Sequence, residues 1–256
     1  MGLQDVLITG ASGQDALITR KLLLSKGYKP RLLSRKIHCS PRGFDESYIC
    51  LDPSKSSFVD QLTSLIQEIQ PRSIYHYASA NQSSEAPKDS ASELYTANLF
   101  YTKALIDACL KYSRHTKLFI AGSIHQYTLP KAGIHEVNCV LQESPRNYYG
   151  LSKSACRIQA NLARDLGLHV YFGVLFNHES ALRHGDEYLI TKLFGLCKRL
   201  VESKRNVVLN PSRIRKICLR KYHTHMDLSL ARDICEAIIG IVEHNEPGNY
   251  LSLIHI

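Results

Sequence analysis

No apolar stretch in this chain is long enough to span a bilayer, and the N-terminus has no basic segment followed by an apolar leader. Met1-Gly2 is followed by Val6 where a myristoylation signal needs Ser or Thr. These absences read as a cytosolic protein that neither crosses nor is anchored to a membrane. The eight cysteines (Cys39, Cys50, Cys109, Cys139, Cys156, Cys197, Cys218, Cys235) form no C-x-x-C pair and no close cluster with histidine, so reduced structural thiols are expected and no metal site is indicated. There is no internal repeat and no low-complexity linker. A net charge of +9 would permit nucleic-acid binding, yet the basic residues are scattered and lack an aromatic-interleaved motif, so no nucleic-acid partner is expected. The exception is the basic run Arg213 to Lys221, which suits a substrate diphosphate, an acidic partner or plain solvation.

What is present is chemistry-bearing. Tyr149 and Lys153 stand at i, i+4, on one face of a helix, where an ammonium can lie beside a phenol and favour its phenolate. A free tyrosine, with a pKa of about 10, is otherwise a poor base near neutrality. Alone, Y-x-x-x-K is common on amphipathic helices. It gains weight from Thr9-Gly10-Ala11-Ser12-Gly13-Gln14-Asp15-Ala16, which follows the apolar run Val6 to Ile8 and precedes leucines and isoleucines at helical spacing. That is strand, tight turn, helix. Gly10 and Gly13 allow the backbone to approach a pyrophosphate at the helix N-terminus, with Gln14 and Asp15 beside it, and Ala16 takes the place of a third glycine where close packing is needed.

After the second apolar run, Pro30 to Leu33, the chain reads Ser34-Arg35-Lys36, with no carboxylate to meet an adenosine 2′-hydroxyl. Arg35, with Ser34 and Lys36, suits a 2′-phosphate, which favours NADP over NAD; a solvated basic turn is the plainer reading. Asp52 is placed for adenine contact or for a helix N-cap.

The 256 residues, 44% of them hydrophobic, can bury a full core. Candidate strands at 6–9, 31–34, 73–78, 117–121 and 170–176 alternate with helical patterns at 16–26, 57–69, 90–112 and 149–166. This βαβ rhythm predicts an α/β fold with a Rossmann-type doubly wound parallel sheet. Residues 1–175 form the expected NADP-binding domain with its catalytic helix. Residues 176–256 are expected to form mainly a small substrate lobe with one returning Rossmann element, and the ending at Leu251 to Ile256 leads to the expectation that this lobe is incomplete.

These motifs, with Ser144-Pro145-Arg146, Leu175-Phe176-Asn177-His178-Glu179-Ser180, Arg183 and Gly185, resemble the extended short-chain dehydrogenases/reductases that act on nucleotide sugars, most of all the GDP-mannose 4,6-dehydratases. The resemblance implies that Asn177, His178, Glu179, Ser180 and Arg183 build a pocket for a nucleoside-diphosphate sugar, with GDP-mannose the first candidate. It further implies that Ser123 is the hydroxyl partner of Tyr149, that Asn98 supports Lys153 at the cofactor, and that members self-associate. Two positions depart from the pattern. Where the dehydratases carry a glutamate two residues after the catalytic hydroxyl, this chain has His125, and their Arg-Asp-Trp-Gly-His-Ala motif is Met226-Asp227-Leu228-Ser229-Leu230-Ala231. A neutral imidazole can accept a proton near pH 7, so His125 is a candidate base. A dehydratase, an epimerase or reductase that needs no such base, and a non-catalytic nucleotide-binding relative are the three readings left open.

Overall fold

A computed structural model describes residues 5–35, 39–40, 43–44, 47–80, 91–127, 143–183, 189–205, 228–244 and 246–251. Seven strands form one parallel sheet: β1 (Asp5–Thr9), β2 (Lys29–Ser34), β3 (Tyr48–Cys50), β4 (Ser73–His76), β5 (Lys117–Ala121), β6 (Val170–Val174) and β7 (Asn249–Leu251). Their spatial order is β7-β6-β5-β4-β1-β2-β3. The order reverses between β1 and β4, so a crevice opens at the carboxyl ends of those two strands, where α/β folds of this kind receive ligands.

Period-two alternation fills both faces. Leu7 of β1 points into one core with Phe58, Leu62, Ile74, Leu105 and Cys156, while Val6 and Ile8 point into the other with Ala16, Leu23, Phe119 and Ile238. The first core is covered by α2 (Phe58–Ile69), α3 (Tyr101–Tyr112) and α4 (Tyr148–Asp165); the second by α1 (Gln14–Ser25) and α6 (Ala231–His244). Helix α5 spans Leu189–Arg205. A π-helical turn, Tyr95–Phe100, leads into α3.

The doubly wound parallel sheet expected from the sequence is present. Strands β4 and β6 end earlier than the apolar runs suggest, at His76 and Val174, because the chain leaves the sheet there to form the rim of the crevice. Residues 213–221, Lys36, Gly185, Met226, Asp227 and 252–256 lie outside the described residues. Among the described residues no helix is long and apolar enough to cross a membrane, no group of side chains is arranged to hold a metal, and Cys50, Cys109, Cys156, Cys197 and Cys235 are free.

Candidate functional site

The glycine turn closes β1 onto α1 at the crevice. Gly10 has φ of 77°, and a Cβ there would fall 2.8 Å from the backbone nitrogen of Ala78, so glycine is required on both counts. Gly13 stands at the N-cap of α1 without a side-chain cap, leaving the first helical amides available to an anion. This geometry fits a dinucleotide pyrophosphate. Arg35 is exposed just past β2. Asp52 caps no helix: its Oδ1 accepts from the Ser54 amide at 3.0 Å and the Ser54 hydroxyl at 2.9 Å, and the amide bond is the main reason its carboxyl pKa lies below the usual value.

Across the crevice, β5 runs out through Gly122 into a short 3₁₀ turn, Ile124–Gln126, for which Ser123 is the N-cap. Ser123 is buried, and its Oγ accepts from the His125 amide at 3.3 Å. No described residue takes its hydroxyl proton. Tyr149 sits in the first turn of α4, capped by Asn147, whose side chain accepts from the Gly150 amide at 2.7 Å. The helix is drawn against the 3₁₀ turn so closely that a Cβ at Gly150 would lie 2.2 Å from the His125 carbonyl oxygen. Gly150 therefore lets the first turn of α4, with Tyr149, approach the turn that carries His125.

The contact geometry follows from that approach. The His125 and Tyr149 rings meet edge to face with centroids 5.8 Å apart, and the Lys153 Nζ lies 5.8 Å from the Tyr149 ring centroid. Lys153 is buried, and its ammonium donates to the Ala121 carbonyl at 2.8 Å, which holds positive charge beside the phenol. His125 is an exposed residue, and the partial desolvation of its ring lowers its pKa below the ordinary 6.5, so it is neutral at pH 7.

Asn98 lies in the π turn, buried. Its side chain brackets Ala80, accepting from the amide at 2.8 Å and donating to the carbonyl at 3.1 Å, and its Nδ2 also donates to Ser152 Oγ at 3.0 Å. It thus meets α4 one residue before Lys153 and makes no bond to the ammonium among the described residues. Sequence reasoning also passed over His76, a buried histidine on β4. Thr102 Oγ1 spends its one proton on the Asn98 carbonyl at 2.7 Å and so accepts from His76 Nε2 at 3.1 Å, while Thr9 Oγ1, which accepts from the Ala78 amide at 3.0 Å, lies 2.8 Å from His76 Nδ1. Thr102 thus places a proton on Nε2, and in the neutral ring Nδ1 accepts from Thr9. Burial, then the charge of Lys153, lowers its pKa to about 3. The relay ties the glycine turn to the π turn, and the signal in the sequence was a lone polar ring in an apolar strand.

The 176–183 segment lies beside the N-terminus of α1. His178 is buried, Asn177 is exposed, and Glu179 and Ser180 are half-buried. Arg183 Nε pairs with Glu179 at 2.8 Å, and its Nη2 donates to the His178 carbonyl at 2.9 Å. The segment is strand-paired with Ser229–Leu230, so the two motifs of the resemblance, far apart in sequence, are neighbours.

A family model for the NAD dependent epimerase/dehydratase family matches residues 6–252. Among curated proteins, GDP-mannose 4,6 dehydratase 2 of Arabidopsis thaliana is 25% identical over 260 residues, covering 96% of this chain and 66% of that protein. A GDP-mannose 4,6-dehydratase of Sinorhizobium fredii (strain HH103) is 26% identical over 271 residues, covering 96% of this chain and 70% of its own length. The chain therefore spans about two thirds of the length of these relatives. Among solved structures, a UDP-glucuronic acid 4-epimerase from Bacillus cereus, in complex with UDP-glucuronic acid and NAD, superposes with a TM-score of 0.74 at 16% identity, over 97% of this chain and 77% of that one. A dTDP-glucose 4,6-dehydratase from Bacillus anthracis in complex with NAD gives a TM-score of 0.73 at 18% identity, over 96% and 74%. Taken with the glycine turn at the sheet's switch point and the Tyr149–Lys153 pair, the match over nearly its whole length shows that this chain belongs to the NAD dependent epimerase/dehydratase family.

Proposed function

We propose that the protein is an NADP-dependent nucleotide-sugar dehydratase acting on a GDP-mannose-like substrate. The observation that carries this reading is the placement of His125: a neutral proton acceptor stands edge-on to Tyr149, on the turn that Ser123 caps. Removing water across C5 and C6 needs a second base beside the tyrosine. Epimerisation at C4 does not.

When bound, the dinucleotide supplies a hydride acceptor for C4 of the sugar and gives the hydride back at C6. Gly10, Gly13 and the first amides of α1 would hold its pyrophosphate, and Arg35 its 2′-phosphate. Tyr149 takes the proton of the sugar 4-hydroxyl at its phenol oxygen. Ser123 donates its uncommitted proton to the same oxygen, keeping the sugar in line. Lys153 stabilises the phenolate from which Tyr149 acts as the base. The C4 ketone acidifies C5–H; His125 takes that proton and passes it to the C6 hydroxyl, which leaves as water, and C5 is reprotonated when the hydride comes back at C6, the proton held by Tyr149 balancing it through solvent. Residues 1–175 do the cofactor work in this scheme, and 176–256 mainly shape the sugar-nucleotide side, with Asn177 presented at the crevice.

Self-association belongs to the same reading. Leu151, Ile158, Leu162 and Leu166 form an exposed apolar stripe along α4, flanked by Phe100, and a second copy of the chain is the occupant we assign to it. Sedimentation should show a dimer that Leu162→Glu weakens; a wild-type monomer at high protein concentration would reject it.

Incubation with NADP and a panel of nucleoside-diphosphate hexoses, with products read by mass, tests the function. Loss of one water by wild type, its disappearance in His125→Ala and its return in His125→Glu support the dehydratase. Isomerised or reduced sugar that keeps the C6 oxygen would make the protein an epimerase or reductase, and silence on every sugar would make it a binding protein.

A further inference from the structure

Gln14 and Asp15 follow the second glycine of the cofactor turn, and their side chains turn away from the place of the pyrophosphate. Gln14 is buried; its Nε2 donates to the His178 carbonyl at 2.9 Å, and its Oε1 accepts from Ser180 Oγ at 2.8 Å. Asp15 Oδ1 lies 3.0 Å from His178 Nε2. The other ring nitrogen, Nδ1, faces the Phe176 carbonyl at 2.7 Å. Both nitrogens of His178 thus meet acceptors that carry no proton, an arrangement satisfied by the imidazolium. A buried cation and its carboxylate close the joint between α1 and the 176–183 segment.

We propose that Gln14 and Asp15 are positioning residues for the sugar-nucleotide side of the site: the backbone of α1's first turn serves the cofactor, while these two side chains lock the segment that carries Asn177. The assignment rests on the nucleotide-sugar reading above. It explains why both side chains of one helical turn are committed to residues more than 160 positions away. It also divides labour within one turn, because a peptide amide reaches an anion whatever side chain it bears, leaving those side chains free to hold a second element. Asn177, the exposed residue of the segment, is held from two sides: by the Gln14 and Asp15 contacts to its neighbour His178, and by its own carbonyl, which accepts from the Ser229 amide at 3.1 Å.

The lock depends on charge. Around the His178–Asp15 pair stand Arg183 of the same segment with its partner Glu179, and Cys235 of α6, whose Sγ donates to the Asp15 carbonyl at 3.6 Å. Burial works against a charged His178 ring and Arg183 repels it, but the hydrogen bond and charge of Asp15, with the Phe176 carbonyl, outweigh both and raise its pKa above the ordinary 6.5. A raised folded-state pKa means that the lock is complete below that ordinary value and loosens as pH rises through the folded one.

The test compares wild type, Gln14→Leu, Asp15→Asn and His178→Gln in two measurements. Hydrogen exchange of residues 174–183 in the NADPH-bound protein reads the lock without any sugar. Titrations with NADPH and with GDP-mannose then read its function. Expected are faster exchange in the segment for all three variants and GDP-mannose affinity down about tenfold or more, from the loss of a charge-assisted bond in Asp15→Asn and His178→Gln and of two neutral buried bonds in Gln14→Leu. NADPH affinity should change less than about twofold, and the Asp15→Asn and His178→Gln effects should overlap rather than add. GDP-mannose affinity in wild type should also weaken above neutral pH, and this dependence should flatten in Asp15→Asn. Unchanged exchange, or NADPH affinity falling in step with that for GDP-mannose, would overturn the proposal. A wild type that binds no GDP-mannose would remove the substrate reading, and exchange would then decide the lock by itself.

Discussion

Acidification gives a direct way to weigh the buried relay through His76. Its ring is neutral in the fold, with a pKa of about 3 against an ordinary 6.5, because burial and then the Lys153 charge oppose protonation. In the unfolded chain the ring protonates freely. The depressed folded value means that the stability linked to His76 is fully present above pH 6.5 and is lost as pH falls toward 3. At pH 5 the unfolded ring lies about 1.5 units below its pKa, which at about 1.36 kcal/mol per unit lowers stability by about 2 kcal/mol. Any folded pKa below about 4 gives nearly the same figure, because the magnitude is then set by the unfolded-state pKa and the pH. Against a typical domain stability of about 5–15 kcal/mol this is large. His76→Gln keeps an acceptor for Thr9 and a donor for Thr102 but cannot titrate. Urea unfolding of both proteins at pH 7 and pH 5 should show wild type losing about 2 kcal/mol more than the variant, other titrations cancelling in the comparison. Equal losses would refute the neutral buried relay.

Three further outcomes follow from the geometry. Gly150→Ala forces its new methyl against the His125 carbonyl; it should destabilise the fold by about 1–3 kcal/mol and lower kcat tenfold or more, with NADPH affinity nearly kept, in chemical unfolding and steady-state assays. Tyr149→Phe should lower turnover by about 10²–10⁴ while leaving cofactor affinity almost intact, whereas Lys153→Met, which also strips the Ala121 carbonyl of its donor, should reduce both; substantial activity in Tyr149→Phe would displace the tyrosine as base. NADPH should bind more tightly than NADH, and Arg35→Ala should erase a preference of about 1.5–3 kcal/mol in fluorescence titration; equal wild-type affinities would refute the role of Arg35.

The parts of this fold legible in the sequence are those whose signal is local. Val6 to Ile8, Gly10 and the helical spacing after Ala16 mark β1, the turn and α1, because burial on both sheet faces leaves an unbroken apolar run and a positive φ calls for glycine. Helix α6 carries an equally regular pattern at Ala231, Ile234, Cys235, Ile238, Ile239 and Val242, a helical stripe that a cysteine and flanking charges obscure. The pair His178–Glu179 with Ser229–Leu230 has no period to read, since two-residue strands cannot display one. In the site, Tyr149 and Lys153 were legible by type and spacing, Ser123 and His125 only through the family resemblance, and the structure sets His125 and Lys153 beside the Tyr149 ring. The partners of Gln14, Asp15 and Asn98 were not. Each is set by chain segments meeting across the crevice, and a side chain that could serve a ligand looks the same in sequence as one that holds a neighbouring loop.

The most direct test of the dehydratase assignment follows one hydride. With NADP and GDP-mannose carrying deuterium at C4, wild-type protein should yield a GDP-sugar lighter by one water with the deuterium retained and moved to C6, readable by mass and proton spectra of the isolated product. A product that keeps the C6 oxygen, deuterium lost to free cofactor, or unchanged substrate would contradict the account.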